Sequence, residues 1–61
     1  MSHVVFQFAL GQRVKIKDTE DVEGTVRRMC YDLEGCSYQV SWWADDKRIC
    51  EWLWGDELVA A

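Results

Sequence analysis

Hydrophobic and polar residues alternate along most of the chain with the two-residue period of half-buried β-strands. The alternation covers three runs, 13–17, 22–31 and 37–54, and clusters of Asp, Glu and Gly lie between them. A short segment with polar ends at 55–58 suits one helical turn before a last strand. The pattern predicts an all-β domain of about five short antiparallel strands, which in so few residues should close into a small barrel.

The run 37–54 contains all four tryptophans and predicts a β-hairpin around the polar tetrad 44–47. A loop of two or of four residues gives one and the same register, with Trp43 opposite Arg48. A loop of three residues would shift the register by one and turn Trp52 toward the core. The first register is the prediction.

This register sorts the hairpin side chains onto two faces, because successive side chains of a strand point to opposite sides. The set expected to face the core is apolar with one carboxylate as a misfit: Tyr38, Val40, Trp42, Ile49, Glu51 and Leu53. The set expected to face outward is polar apart from a cysteine and two indoles: Gln39, Ser41, Trp43, Arg48, Cys50 and Trp52. Trp43 and Trp52 are therefore predicted on the surface, with Arg48 close enough to the Trp43 ring for a cation–π contact.

The two earlier runs predict one strand each. In 13–17 the basic residues form a solvated face, and the apolar ones point inward. In 22–31 Gly24 marks either a bulge or a close backbone approach. The alternation places Val22, Gly24, Val26, Arg28 and Cys30 on one face, unless a bulge at Gly24 shifts the phase. Polar turns are predicted at 18–21 and 32–35, after the first and second of these strands.

Length and charge narrow the possible functions. Residues 1–61 are expected to form a single domain, in which 1–7 either add an edge strand or fray. Seven basic against eleven acidic residues give a net charge of −4, which argues against a general nucleic-acid binder. Residues 32–61 hold two basic and seven acidic side chains together with the tryptophans, so a cationic partner is favoured there.

The chain carries no secretory signal and no apolar run of membrane-spanning length, so no membrane association is expected. Three cysteines without a CxxC pair fit reduced thiols of a cytoplasmic protein better than a disulfide framework. Cys30 and Cys36 flank a predicted turn and could bridge it under oxidation.

Four short segments together resemble the layout of SH3-like small barrels such as Tudor and KOW domains. They are 10–14 (Leu-Gly-Gln-Arg-Val), 23–26 (Glu-Gly-Thr-Val), 38–40 (Tyr-Gln-Val) and 51–58 (Glu-Trp-Leu-Trp-Gly-Asp-Glu-Leu). The resemblance covers most of the chain. It implies a fold and no particular activity, because this fold serves many unrelated functions.

The segment 8–15 (Phe-Ala-Leu-Gly-Gln-Arg-Val-Lys) and the segment 38–40 are also similar to the type II dihydrofolate reductases, SH3-like proteins that assemble as tetramers around a central pore. Where that family carries its active-site stretch Val-Gln-Ile-Tyr, this chain has Arg-Ile-Cys-Glu at 48–51. No active-site residue can therefore be transferred from the family to this chain.

The aromatic residues are the strongest candidates for a binding site: Tyr31, Trp43, Trp52 and Trp54, together with Arg48. Tryptophan and arginine are enriched in interface hot spots, so contact with a partner protein or a second copy is the leading interpretation. With the carboxylates Asp45, Asp46 and Glu51, the rings could instead form a cage for a methylated ammonium group.

Other reactive side chains have simpler explanations. His3 and the three cysteines have the number but not the spacing of zinc ligands, and His3 is badly placed to act as a base for a cysteine nucleophile. Adjacent carboxylates such as Asp45 and Asp46 or Asp56 and Glu57 are expected to be solvated rather than catalytic. No metal, cofactor or catalytic residue is predicted.

The sequence thus favours a non-enzymatic SH3-like interaction module that contacts a protein partner or itself through its hairpin. One alternative is a pore-forming oligomeric enzyme similar to the type II dihydrofolate reductases, which would bind NADPH. Another is nucleic-acid binding through the basic residues of the first half: Arg13, Lys15, Lys17, Arg27 and Arg28.

Overall fold

The computed structural model describes residues 5–17 and 22–61, and these residues form five β-strands and one 3₁₀ turn. In chain order the elements are β1 (Arg13–Ile16), β2 (Glu23–Asp32), β3 (Gly35–Ala44), β4 (Lys47–Trp54), the 3₁₀ turn (Gly55–Glu57) and β5 (Leu58–Ala60). All neighbouring strands are antiparallel, in the order β4-β3-β2-β1-β5. The predicted all-β class and the helical turn before the last strand are confirmed.

The structure describes only residues 5–7 of the N-terminal segment 1–7, for which an edge strand or fraying was predicted. Residues 5–7 form no strand, and Phe6 instead packs against the core. The turn predicted at 18–21 lies outside the described residues, as do residues 1–4.

One hydrophobic core lies on one side of the sheet, and we call that side the inner face. The buried side chains of the core are Phe8, Val14, Val26, Tyr38, Val40 and Leu58. Partly buried side chains surround them: Phe6, Ile16, Met29, Cys36, Trp42 and Leu53. The described residues provide a single sheet and no second layer, yet Val14, Tyr38 and Val40 are 0% exposed. The sheet must therefore curl around its own inner face.

Tyr38 joins the N-terminal segment to this core. Its ring meets Phe6 and Phe8 edge-on, with centroids 6.1 and 5.3 Å away. Its hydroxyl oxygen accepts a hydrogen bond of 2.8 Å from the backbone N–H of Gln7. The polar end of an otherwise buried ring is thereby satisfied, and residues 6–8 are held against the core.

A β-bulge in β2 changes which side chains of that strand face the core. Val26 pairs with Val40, but Arg28 pairs with Gln39, so Arg27 is an extra residue without a partner on β3. The bulge thus lies at Arg27 and not at Gly24, and Arg28 and Cys30 do not share the face of Val26 that the plain alternation predicted for them. After the bulge the inward position passes to Met29, which lies opposite Tyr38.

Gly24 is needed for a close approach of β2 to β3. A Cβ atom at this position would lie 2.6 Å from Val40 Cγ1 and 2.7 Å from the Ser41 carbonyl oxygen. The second neighbour is backbone and cannot rotate away, so any larger residue would push the two strands apart.

We predict that Gly24→Ala lowers the free energy of unfolding by about 1–3 kcal/mol, the usual range for forcing an extra methyl group into packed surroundings. Gly55→Ala is the matched control, because its new Cβ would mainly meet the mobile end of the Gln7 side chain. Chemical denaturation measures both variants. An equal loss of stability would contradict the proposed role of Gly24.

We also predict that Tyr38→Phe costs about 1 kcal/mol, because the N–H of Gln7 loses its acceptor while the ring packing stays. Tyr31→Phe is the control, since Tyr31 is 57% exposed. Thermal or chemical unfolding of the two variants measures this. Equal stabilities of Tyr38→Phe and Tyr31→Phe would show that the hydrogen bond from Gln7 to Tyr38 does not stabilise the fold.

Candidate functional site

The β3–β4 hairpin has the predicted register. Trp43 lies opposite Arg48, Trp42 opposite Ile49, and the pairing continues without a shift to Ser37 and Trp54. The loop is the two-residue turn Asp45-Asp46, whose φ angles are 51° and 63°. Positive φ at both central positions is the mark of a type I′ turn, which matches the twist of a hairpin. Aspartate tolerates this conformation better than most residues.

The outer face of the hairpin exposes three indoles. Trp43 is 72% exposed, Trp52 49% and Trp54 39%, whereas Trp42 on the inner face packs against the core. Arg48 and Cys50 are exposed on the same face of β4 as Trp52 and Trp54. We call Trp43, Arg48, Trp52 and Trp54 the indole face. These are four of the five residues that the sequence predicts for binding.

Tyr31, the fifth candidate, lies apart from the indole face. Trp54 lies opposite Ser37 on β3, whereas Tyr31 lies opposite the adjacent residue Cys36. Because adjacent side chains of a strand point to opposite faces, Tyr31 and Trp54 lie on opposite sides of the sheet. Trp43 and Trp52 are also distant from each other, because Trp43 lies opposite Arg48, and Arg48 and Trp52 are four residues apart on β4, or about 13 Å. The rings therefore do not converge as a methylammonium cage requires.

Strand β4 forms one edge of the sheet, and this explains the predicted misfit Glu51. Within the described part of the chain β4 pairs with β3 alone. Glu51 lies opposite the buried Val40, on the inner face, yet it is exposed because no strand covers that side of β4. Its carboxylate therefore remains in water without the cost of burying a charge.

The cysteines and carboxylates form no recognisable reactive centre in the described part of the chain. The three cysteines are free, and Cys30 and Cys36 lie on opposite faces of the β2–β3 hairpin, so they are badly placed to bridge it. No group of three or more His, Cys, Asp or Glu side chains among the described residues could hold a metal ion. His3 lies outside the described residues.

Two open clefts lie at opposite ends of the β3–β4 hairpin. The cleft near Trp54 has a volume of about 560 Å³ and gathers Lys17 with three carboxylates, those of Glu34, Asp56 and Glu57. The cleft near the turn has a volume of about 550 Å³ and gathers three arginines, Arg13, Arg27 and Arg48, with Glu23 and Trp43. We call the second one the arginine cleft.

The sequence pattern does not reveal the arginine cleft. It assigned Arg13 and Arg27 to the basic surface of the first two strands and Arg48 to the hairpin. The three side chains line one cleft because of the strand pairing and the bulge at Arg27, and both depend on contacts between residues distant in sequence. The predicted position of Arg48 opposite Trp43 was the only feature of the cleft that the local pattern indicated.

Comparison with protein-family models, curated proteins and solved structures finds no match to this chain. Among the described residues, no helix has the length and apolar character needed to cross a membrane. The geometry and chemistry of the surface are therefore the basis for a functional assignment.

Proposed function

We propose that this chain is a non-enzymatic interaction module that binds a protein strand at β4, with Trp52 of the indole face in the contact. The supporting observation is that three of its four tryptophans are 39–72% exposed on one face of one hairpin. Single exposed apolar residues are common, but a group of indoles beside an arginine is typical of the energetic centre of an interface. The small five-stranded sheet is compatible with the SH3-like resemblance of the sequence.

The free edge of β4 suggests how a partner binds. In a two-residue hairpin the residues that flank the turn, Ala44 and Lys47, form a hydrogen-bonded pair, and such pairs recur at every second position. The backbone groups of Arg48, Cys50 and Trp52 therefore point away from β3. β4 has eight residues without a proline or a bulge, and its charged residues Lys47 and the inward-facing Glu51 restrict which strands can pair with it. Its backbone is thus suited to pairing with another strand.

The charges of β4 favour a second copy of the chain as that strand. If two β4 strands pair antiparallel about Ile49, Lys47 of each copy lies opposite Glu51 of the other. The symmetry repeats this ion pair. Neither side chain forms an ion pair within the described part of its own chain, where the one such contact joins Arg13 and Glu23.

The same register also gives the indole face a role. Trp52 lies diagonally across from Arg48 of the second copy, a separation that aromatic and long side chains can bridge. A guanidinium over an indole ring is a favourable cation–π pair. Aromatic contact and backbone pairing would therefore act together in one interface.

An oligomeric enzyme similar to the type II dihydrofolate reductases has no comparable support. The alternative of nucleic-acid binding through the whole basic half is weakened by the bulge. Arg28 pairs with Gln39, and it is not among the residues that line the arginine cleft. The five basic residues named for that alternative therefore do not form one site.

We predict that Lys47→Glu and Glu51→Lys each weaken self-association about tenfold, because each places like charges opposite one another twice in the dimer. The double variant restores the opposite pairing and should recover most of the affinity. Analytical ultracentrifugation over a concentration series measures this. Within one chain these residues are four positions apart on a strand, so a rescue reports contact between copies. A wild-type chain that stays monomeric at every concentration would contradict the proposal.

We predict that Trp52→Ala weakens the same self-association by about 30-fold or more, the effect of removing an interface hot spot. Leu33→Ala is the matched control, because Leu33 is a fully exposed apolar side chain in the turn between β2 and β3. Circular dichroism confirms that both variants are folded. Equal effects of the two substitutions would show that the indole has no special role.

A further inference from the structure

The arginine cleft lies where two hairpins separate. Pairing between β2 and β3 ends at Thr25 and Ser41. Beyond that point β2 continues along β1, to the pair of Glu23 and Lys15, while β3 continues along β4 to its turn. The β1–β2 and β3–β4 hairpins therefore diverge and leave an open space of about 550 Å³ between them, within the range of small-molecule sites.

Positive charge is concentrated in this cleft although the protein as a whole is acidic. Three of the seven basic residues line it, with Glu23 as the one acidic residue in the lining. Arg13 Nη2 is 3.4 Å from Glu23 Oε1, so that carboxylate is shared with one of the three guanidinium groups. Arg27 and Arg48 form no ion pair with the described residues, which leaves an excess of two positive charges.

The bulge in β2 is the structural reason for the position of Arg27. An extra residue in one strand bends that strand and redirects its side chain, and bulges of this kind are common beside functional sites. The neighbour Arg28 returns to the regular ladder opposite Gln39 and does not line the cleft. Of these two adjacent arginines, Arg27 therefore lines the cleft and Arg28 does not.

The remaining lining adds a flat ring and hydroxyl groups. Trp43 is 72% exposed at the rim, so a planar group can stack on its indole. Thr25 and Ser41 lie opposite each other across β2 and β3 and provide hydroxyl groups that can donate hydrogen bonds. Guanidinium groups match the geometry of phosphate oxygens. An anionic group joined to a planar ring would satisfy all of these side chains together.

We propose that the arginine cleft binds a nucleotide, with its phosphate between Arg27 and Arg48 and its base stacked on Trp43. The net charge of −4 and the carboxylates at the other end of the hairpin disfavour a long polyanion, so the ligand is a mononucleotide or a short single strand. The nucleotide site does not depend on self-association, because all of its residues belong to one chain; Arg48 is the residue that it shares with the proposed dimer contact.

Calorimetric titration of the full chain with AMP, adenosine and inorganic phosphate tests this proposal. We expect AMP to bind at least tenfold more tightly than either adenosine or phosphate, because each of those lacks one of the two recognised groups. The dinucleotide pApA and a short oligo(A) identify the source: tighter binding than AMP indicates a single strand, and equal or weaker binding indicates the free nucleotide. Absent binding of AMP, or equal binding of AMP and phosphate, would overturn the proposal.

Arg27→Ala and Arg28→Ala form a matched pair of variants with the same loss of charge. We expect Arg27→Ala to weaken AMP binding about tenfold or more and Arg28→Ala to leave it within about twofold. Equal losses would mean that only the overall charge matters and would overturn the site. Lys47→Glu disturbs the proposed dimer but not the cleft lining, so failure of the dimer and failure of the nucleotide site are distinguishable.

Discussion

The inward orientation of Tyr38 is the constraint on which the rest of the structure depends. Its ring is fully buried between Phe6 and Phe8, and its hydroxyl is bonded to the N-terminal segment. Moving β3 by one residue would expose this ring and bury Gln39 in its place, at a cost of several kcal/mol. Because side chains alternate, the inward Tyr38 turns Trp43 outward. The hairpin register then turns Trp52 and Trp54 outward as well. The exposed indoles are thus a consequence of the core.

The hairpin was predictable because its signals are local and agree with one another. The apolar alternation on either side of Asp45 and Asp46, and a turn of two polar residues, both favour the register that β3 and β4 adopt. The solvated face of β1 was predictable for the same reason, since Arg13, Lys15 and Lys17 are all exposed. Neither prediction required knowledge of contacts distant in sequence.

The bulge and the arginine cleft were not predictable, because each depends on how separate hairpins meet. Gly24 was predicted to mark either a bulge or a close approach, and it serves the close approach to β3, whereas the ladder breaks at Arg27. The sequence pattern could not reveal that Glu51 remains solvated on the inner face, since only the strand order places β4 at an edge. Local patterns indicate the register within a hairpin, whereas a cleft opens where the pairing between two strands ends, and that depends on the whole sheet.

The two clefts differ in charge along the β3–β4 hairpin. The cleft near the turn is lined by three arginines and Glu23, whereas the cleft near Trp54 is lined by Lys17 and three carboxylates. Two molecules with this charge difference attract side by side when they point in opposite directions and repel when they point the same way. In the proposed dimer, antiparallel alignment, with Ala44 of one chain beside Trp54 of the other, is therefore the arrangement that this charge difference favours.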